Sequence, residues 1–340
     1  MRNRLSRFAA ALGLGAVLAA AGAAKEPGQP ATLGTIERVD PAFDDLVEKD
    51  RTIEVLASMK FDWSEGPVWD KAGSRVLFSD IPKNMIWEYS AKGGLKEFLK
   101  PSGYTGADKF TGKEPGSNGL AFNKAGELLL CMHGDRRVAK YVDGKFVTLA
   151  DKYDGKRLNS PNDLAIKSDG SIYFTDPPYG LPKLMEDPAK ELDFQGVYRL
   201  TADGKVTLLT KVMSRPNGIT FSPDEKTLYV ANSDPDKAMW MSFPVKEDGS
   251  LGDGKMFADN SKEVKAGKKG LPDGLKTDAK GNVWATGAGG VFVFSPEGKH
   301  LGTLATGIPT ANVGWGDDGG TLYVTADKSF VRVRTKVKGW

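Results

Sequence analysis

One local pattern recurs six times along this chain. A carboxylate or amide residue stands before a small one, and a run of about four strand-forming residues follows. Then come a turn rich in Asp, Gly and Lys and a second apolar or alternating run. The openings are Glu65-Gly66-Pro67-Val68-Trp69, Asn118-Gly119-Leu120-Ala121-Phe122, Asn162-Asp163-Leu164-Ala165-Ile166, Asn217-Gly218-Ile219-Thr220-Phe221, Asp273-Gly274-Leu275-Lys276-Thr277 and Asn312-Val313-Gly314-Trp315. The second runs are Arg75 to Ser79, Glu127 to Cys131, Ser171 to Thr175, Thr227 to Ala231, Asn282 to Thr286 and Thr321 to Thr325. Successive openings lie about 40 to 55 residues apart, the length of one four-stranded blade. The expected fold is therefore all-β, a six-bladed β-propeller of four-stranded antiparallel blades.

Strand accounting points to a closed ring. Met85 to Tyr89 and Leu95 to Leu99 complete the first blade, but the sixth has no fourth strand between Phe330 to Arg334 and the end at Trp340. A spare strand, Thr52 to Leu56, precedes the first opening. Pairing this N-terminal strand (about 52–57) with the C-terminal blade removes the edges that an open sheet would expose. A pair of β-sandwiches also gives many short strands, yet offers no reason for six matched polar openings.

The residues ahead of that strand read differently. Arg2, Arg4 and Arg7 precede an Ala-rich apolar run from Phe8 to Leu18, and Ala21-Gly22-Ala23-Ala24 offers a cleavage site before Lys25. Residues 1–24 are thus expected to be a signal peptide, with the mature protein periplasmic or secreted. The apolar run is shorter than the roughly 20 residues of a spanning helix, so no membrane association is expected after cleavage. Residues 25–50 hold Pro27, Pro30 and Pro41 without a sustained period and are expected to form a linker or N-terminal arm, leaving 51–340 as the propeller. The formal charge is 47 basic against 44 acidic residues, and removal of the three leader arginines balances it. That balance argues against a nucleic-acid partner, which needs clustered excess Lys and Arg. Cys131 is the only cysteine, so stability must come from a core of roughly 290 folded residues rather than from an internal disulfide. A monomer or weak dimer is expected.

In a propeller the first strand of each blade lines the central channel, so matched positions form a ring at one mouth. Here that ring is Glu65, Asn118, Asn162, Asn217, Asp273 and Asn312. Every member offers an oxygen, and none is a thiolate or imidazole. Such a set, with two carboxylates, suits Ca²⁺, with Mg²⁺, Mn²⁺ or Zn²⁺ as candidate replacements. Asn or Asp before Gly is also an ordinary turn former, but a turn needs no register with the blades.

The blocks Ser64-Glu65-Gly66-Pro67, Ser160-Pro161-Asn162-Asp163, Arg215-Pro216-Asn217-Gly218 and Leu271-Pro272-Asp273-Gly274 resemble those of the senescence marker protein/gluconolactonase/luciferin-regenerating-enzyme-like family. The similarity spans about residues 52 to 335, and the run Arg157 to Leu181, with Tyr173-Phe174-Thr175-Asp176-Pro177-Pro178-Tyr179, is especially like exported bacterial gluconolactonases. The resemblance implies a calcium-dependent propeller that hydrolyses sugar lactones. It implies Glu65, Asn217 and Asp273 as metal ligands, Asn162 on the metal or the substrate, and Asp273 also as general base.

A second rank of candidates lies where each return strand comes back to the same mouth, at Asp80, His133, Asp176 and Asn232. His133 is either a proton-transfer residue of the pocket or a blade-top hydrogen-bonding group. Asp176 either meets the substrate or fixes its own Asp-Pro turn. Two long segments, Pro101 to Ser117 and Pro177 to Gln195, are candidate pocket walls, the second bringing Tyr179. Asn118, Asn162, Asp176 and Tyr179 are the expected substrate contacts. Cys131 sits in an apolar strand as a core residue, and Ser-His-Asp chemistry has no Gly-x-Ser-x-Gly elbow to carry it. The function expected is hydrolysis of a small-molecule sugar lactone with Asp273 or His133 accepting the proton. A hydrolase of another ester, such as a non-sugar lactone or an organophosphate, and a non-catalytic binding propeller are the alternatives.

Overall fold

The computed structural model describes residues 30–340. The expected signal peptide lies outside the described residues. Six antiparallel sheets form the blades, and within blades 1 to 4 the strands follow chain order. Blade 1 comprises Ser64–Asp70, Arg75–Asp80, Met85–Ser90 and Gly94–Leu99; blade 2 comprises Ser117–Phe122, Leu128–Met132, Arg137–Val142 and Lys145–Ala150. Blade 3 holds Leu164–Ile166, Ile172–Asp176, Gly196–Leu200 and Val206–Thr210, and blade 4 holds Pro216–Phe221, Thr227–Asn232, Met239–Pro244 and Lys255–Asp259. Blade 5 runs through Leu275–Thr277, Val283–Gly287, Gly290–Phe294 and His300–Ala305. Blade 6 supplies only Asn312–Gly316, Thr321–Ala326 and Ser329–Arg334 from the C-terminal end. Its fourth strand is Glu54–Ser58, paired antiparallel to Ser329–Arg334 with Glu54 opposite Arg332. The ring therefore closes as the strand count required, two residues later than expected at its start, and an ion pair from Arg332 Nε to Glu54 Oε2 at 2.8 Å crosses the seam.

The arm is more tightly built than its sequence suggested. Thr35–Arg38 adds a fifth strand to blade 5, pairing with His300–Ala305. The Pro41–Asp45 turn then drives Phe43 into complete burial against Trp284. Four residues of alternation among prolines are too short to show as a sustained period, yet they cover an edge that blade 5 would otherwise leave open.

Alternate residues of every strand point between blades, and the apolar ones pack into continuous clusters there. Leu129, Cys131 and Val138 of blade 2 join Leu164, Phe174 and Tyr198 of blade 3 in one such layer. Cys131 is a fully buried core thiol in it. No helix among the described residues is long and apolar enough to cross a membrane.

Candidate active site

The polar openings sit where the strands of neighbouring blades come closest, and this closeness explains the glycines that follow them. A Cβ on Gly274 would lie 1.9 Å from the Asn312 side chain, and one on Gly66 would lie 2.3 Å from the Asn118 carbonyl oxygen. Gly66 also has φ +52°, which a side chain would strain. The residue before each glycine is therefore no turn former: it lies in or beside a strand whose successor must be small for the ring to close. Bulges at Glu65/Val68, Ser117/Leu120 and Pro216/Ile219 put extra residues into blades 1, 2 and 4 at this point, re-aiming the side chains there.

Hydroxyls on the second strands pin the ring from behind. Ser79 Oγ donates to the Asn118 carbonyl at 2.9 Å, Thr175 Oγ1 to that of Asn217 at 2.6 Å, and Thr286 Oγ1 to that of Ala311 at 2.9 Å. Each bond runs from one blade to the next. The signal was visible, since four of the six second runs end in Ser or Thr, at Ser79, Thr175, Thr286 and Thr325.

A cavity of about 380 Å³ opens at this mouth, and its lining includes Glu65, Asn118, Asn162, Asn217 and Asp273 together with Tyr179. Five of the six ring positions thus converge on one space. Asn312 does not line it: its Oδ1 accepts the Val313 N–H at 2.8 Å, which leaves only amide hydrogens to turn toward Glu65. Asn118 behaves differently, because its Oδ1 is buried and unpartnered. The same holds for Asn162 Oδ1 and Asp273 Oδ1. At Asn217 the network selects the orientation. Ser233 Oγ donates its hydrogen to the Pro272 carbonyl, so it can only accept the Asn217 Nδ2–H at 2.9 Å, and the amide oxygen is the end left free.

Electrostatics single out the two carboxylates. Burial pushes Glu65 up to about 8; the Gly66 N–H and the Asn312 side chain oppose the rise, while the Asp163 and Glu114 carboxylates reinforce it. Asp273 is pushed well above the ordinary carboxylate range by burial, then by Glu65, Asp163 and Glu114. Two buried acids that resist ionising, beside amide oxygens without donors, make a site where a cation would favour the ionised carboxylates. Buried polar atoms normally have partners, so three orphaned oxygens around one cavity fit a hard divalent cation. Among the described residues no three His, Cys, Asp or Glu side chains cluster as a metal site, because this donor set is two carboxylates completed by amides.

The remaining candidates separate. Tyr179 lines the cavity from the Pro177 to Gln195 segment, its phenol pushed up by burial and by Asp273. Asp176 is not brought to the cavity. It is fully buried and accepts the Asn159 and Ser160 N–H groups, one on each oxygen, both at 2.8 Å. It holds the chain entering blade 3, as Asp80 holds Asp62 and Trp63 ahead of blade 1 and Asn232 holds Arg215 ahead of blade 4. His133 does not reach the cavity either. Its ring is fully buried behind Glu114, with Nδ1 3.0 Å from Glu114 Oε2 but off the line of a hydrogen bond.

Glu114 is the charged cavity residue that sequence reasoning missed, and Trp63, Ile81, Ser233, Gly270, Leu271 and Pro309 also line the space without having been singled out. Glu114 lies in an irregular segment whose Lys-Glu-Pro-Gly run carries no strand or repeat signal. Asp163 was in view but unassigned. It stands where blades 1, 2, 4 and 5 have glycine, buried in the channel with Lys276 Nζ 3.9 Å from its Oδ2.

Residues 63–328 match the model of the SMP-30/Gluconolactonase/LRE-like region. The chain is 40% identical to a gluconolactonase of Zymomonas mobilis over 331 residues, 95% of this chain and 92% of that one. A solved gluconolactonase structure from Xanthomonas campestris superposes with a TM-score of 0.77 at 30% identity, covering 91% of this chain and 98% of the other. Regucalcin of Xenopus laevis is 26% identical across 81% of this chain and 86% of its own length. With its ring, blade order and closure in place, this chain belongs to the SMP-30/gluconolactonase/LRE-like family.

Proposed function

We propose that this protein hydrolyses a sugar lactone, with a divalent cation, Ca²⁺ first among them, held by Glu65, Asn217 and Asp273 and approached by Asn162. The observation that carries the reading is the set of unpartnered oxygens, on Asn118, Asn162 and Asp273, around a cavity of about 380 Å³. Kinship to gluconolactonases along 95% of the chain supports the substrate class.

Lactone hydrolysis adds water across the ring ester. A hydroxyl joins the carbonyl carbon, the ring C–O bond breaks, and one proton ends on the departing ring oxygen. A bound cation supplies Lewis-acid stabilisation of the negative charge that develops on the carbonyl oxygen. Asp273, once ionised beside the cation, would take the proton from water, its Oδ1 facing no protein donor. Holding that proton, it would serve as the acid that returns it to the departing oxygen. The Ser233 hydroxyl fixes the Asn217 amide at 2.9 Å, and the seam hydroxyls behind the ring fix the backbone, so the oxygens are arranged before substrate arrives. Trp63, Ile81, Leu271 and Pro309 give the cavity apolar walls against which the carbon face of a sugar ring can pack while its hydroxyls meet Asn118 and Asn162.

The test is hydrolysis of D-glucono-1,5-lactone, followed by acid release, with and without chelator. Activity lost on chelation and restored by Ca²⁺ is the result expected. Activity indifferent to chelation would remove the cation from the account, and no turnover of any aldonolactone would remove the reaction.

A further inference from the structure

Glu114 is a carboxylate in the cavity wall that neither the ring nor the hydrolytic step uses. It comes from the segment between blades 1 and 2 rather than from an inner strand. About a third of its side chain (32%) is exposed, and no side-chain hydrogen bond ties it down among the described residues. Among the described residues its one ion-pair contact is with His133, at 3.0 Å.

That neighbour is built in. The His133 side chain is fully buried, its backbone N–H donates to the Gly116 carbonyl at 3.1 Å, and its carbonyl accepts the Arg136 N–H at 3.1 Å. Gly180, from the segment carrying Tyr179, packs so closely that a Cβ there would lie 2.7 Å from His133 Cβ. Both cavity walls are thus braced on one residue, His133, through its backbone and Cβ. Its Nδ1 lies 3.0 Å from Glu114 Oε2 but out of line for a hydrogen bond, so the contact seats the carboxylate while both of its oxygens stay open to hydroxyls in the cavity. A carboxylate accepts from two or more hydroxyls, and such charge-assisted bonds are strong and directional.

We infer that Glu114, seated beside the buried His133, is a specificity-determining residue that accepts ring hydroxyls of the lactone and so selects polyhydroxylated lactones over bare ones. The inference rests on the lactone reading above. A site built to bond a substrate hydroxyl discriminates against the analogue that lacks it, because its polar group is then left unpaired. Glu114 acts on binding; His133 is a positioning residue that acts through it.

The experiment compares D-glucono-1,5-lactone with δ-valerolactone, the same ring without hydroxyls, in the full-length protein and in Glu114→Ala, Glu114→Gln, His133→Leu and His133→Asn. Calorimetric Ca²⁺ affinity is measured alongside. In Glu114→Ala, kcat/KM for gluconolactone is expected to fall at least about tenfold more than for valerolactone, mainly through KM, with Ca²⁺ affinity within about twofold of the parent. Glu114→Gln should shift the ratio less. His133→Leu should follow Glu114→Ala in direction, and His133→Asn, which keeps a polar group near the Nδ1 position, should recover part of the ratio. Equal losses on both lactones, or an unchanged ratio, would overturn the inference. So would a collapse of Ca²⁺ affinity in Glu114→Gln, which would make Glu114 a cation ligand. Parent protein inactive on both lactones would overturn the lactone reading and this inference with it.

Discussion

Asp273 and Asp176 are carboxylates at the same end of the propeller, and burial pushes both upward, Asp176 to about 7. They differ in what their oxygens meet. Each oxygen of Asp176 accepts a backbone N–H, whereas Asp273 Oδ1 has no partner at all. A displaced pKa therefore marks burial, and an unsatisfied oxygen marks the place where a ligand belongs. Asp176, Asp80 and Asn232 hold the chain entering their blades; Glu65, Asp273 and the ring amides are held by it.

The largest effect that would sharpen this contrast is on turnover. Asp273→Ala should lower lactone kcat on the order of 10³-fold while the thermal midpoint stays near that of the parent, as read by initial rates and calorimetry. Full activity in that variant would dissolve the distinction. Asp176→Ala should do the reverse. It strands two buried N–H groups, on Asn159 and Ser160, and should destabilise the fold by about 3 kcal/mol in urea titration while the folded fraction keeps its preference among lactones.

The third prediction concerns pH. Glu65 holds its proton in the fold until about 8, while in the unfolded chain it ionises near the ordinary value of 4.5. Between those values the folded state binds more protons, so in chelator stability should decline as pH rises from about 5 to 8. Excess Ca²⁺ should oppose that decline, because a cation takes the ionised carboxylate. Thermal melts across the range, with and without Ca²⁺, read both slopes; stability rising with pH in chelator would contradict the assignment.

The smallest effect separates two residues that the sequence presents as equals. Asn118→Ala should weaken lactone turnover about tenfold, and Asn312→Ala less than about threefold, since Asn118 Oδ1 is open to a ligand and Asn312 Oδ1 is spent on Val313. Initial rates on one lactone decide it.

Much of this was legible beforehand because a propeller repeats its sequence. The six openings, the return strands and the missing fourth strand of blade 6 are periodic features, so Glu65, Asn118, Asn162, Asn217 and Asp273 could be brought to one mouth by counting. What was hidden lies outside the period. Thr35–Arg38 is four residues long, and Glu114 sits in a segment without a strand. The partners of Asp176 and His133 depend on where loops fold back, which no spacing records. Asn312 shows the limit from the other side: it has the right type and register, and its oxygen turns to its own neighbour's N–H.

The central claim is that Glu65, Asn217 and Asp273 hold one divalent cation at the ring, and calorimetric titration of Ca²⁺ tests it most directly. The parent protein should bind one equivalent with release of protons at pH 7, Glu65→Gln and Asp273→Asn should each lose that binding, and Asp176→Asn should retain it. Undiminished binding in Glu65→Gln and Asp273→Asn, or loss confined to Asp176→Asn, would contradict the account.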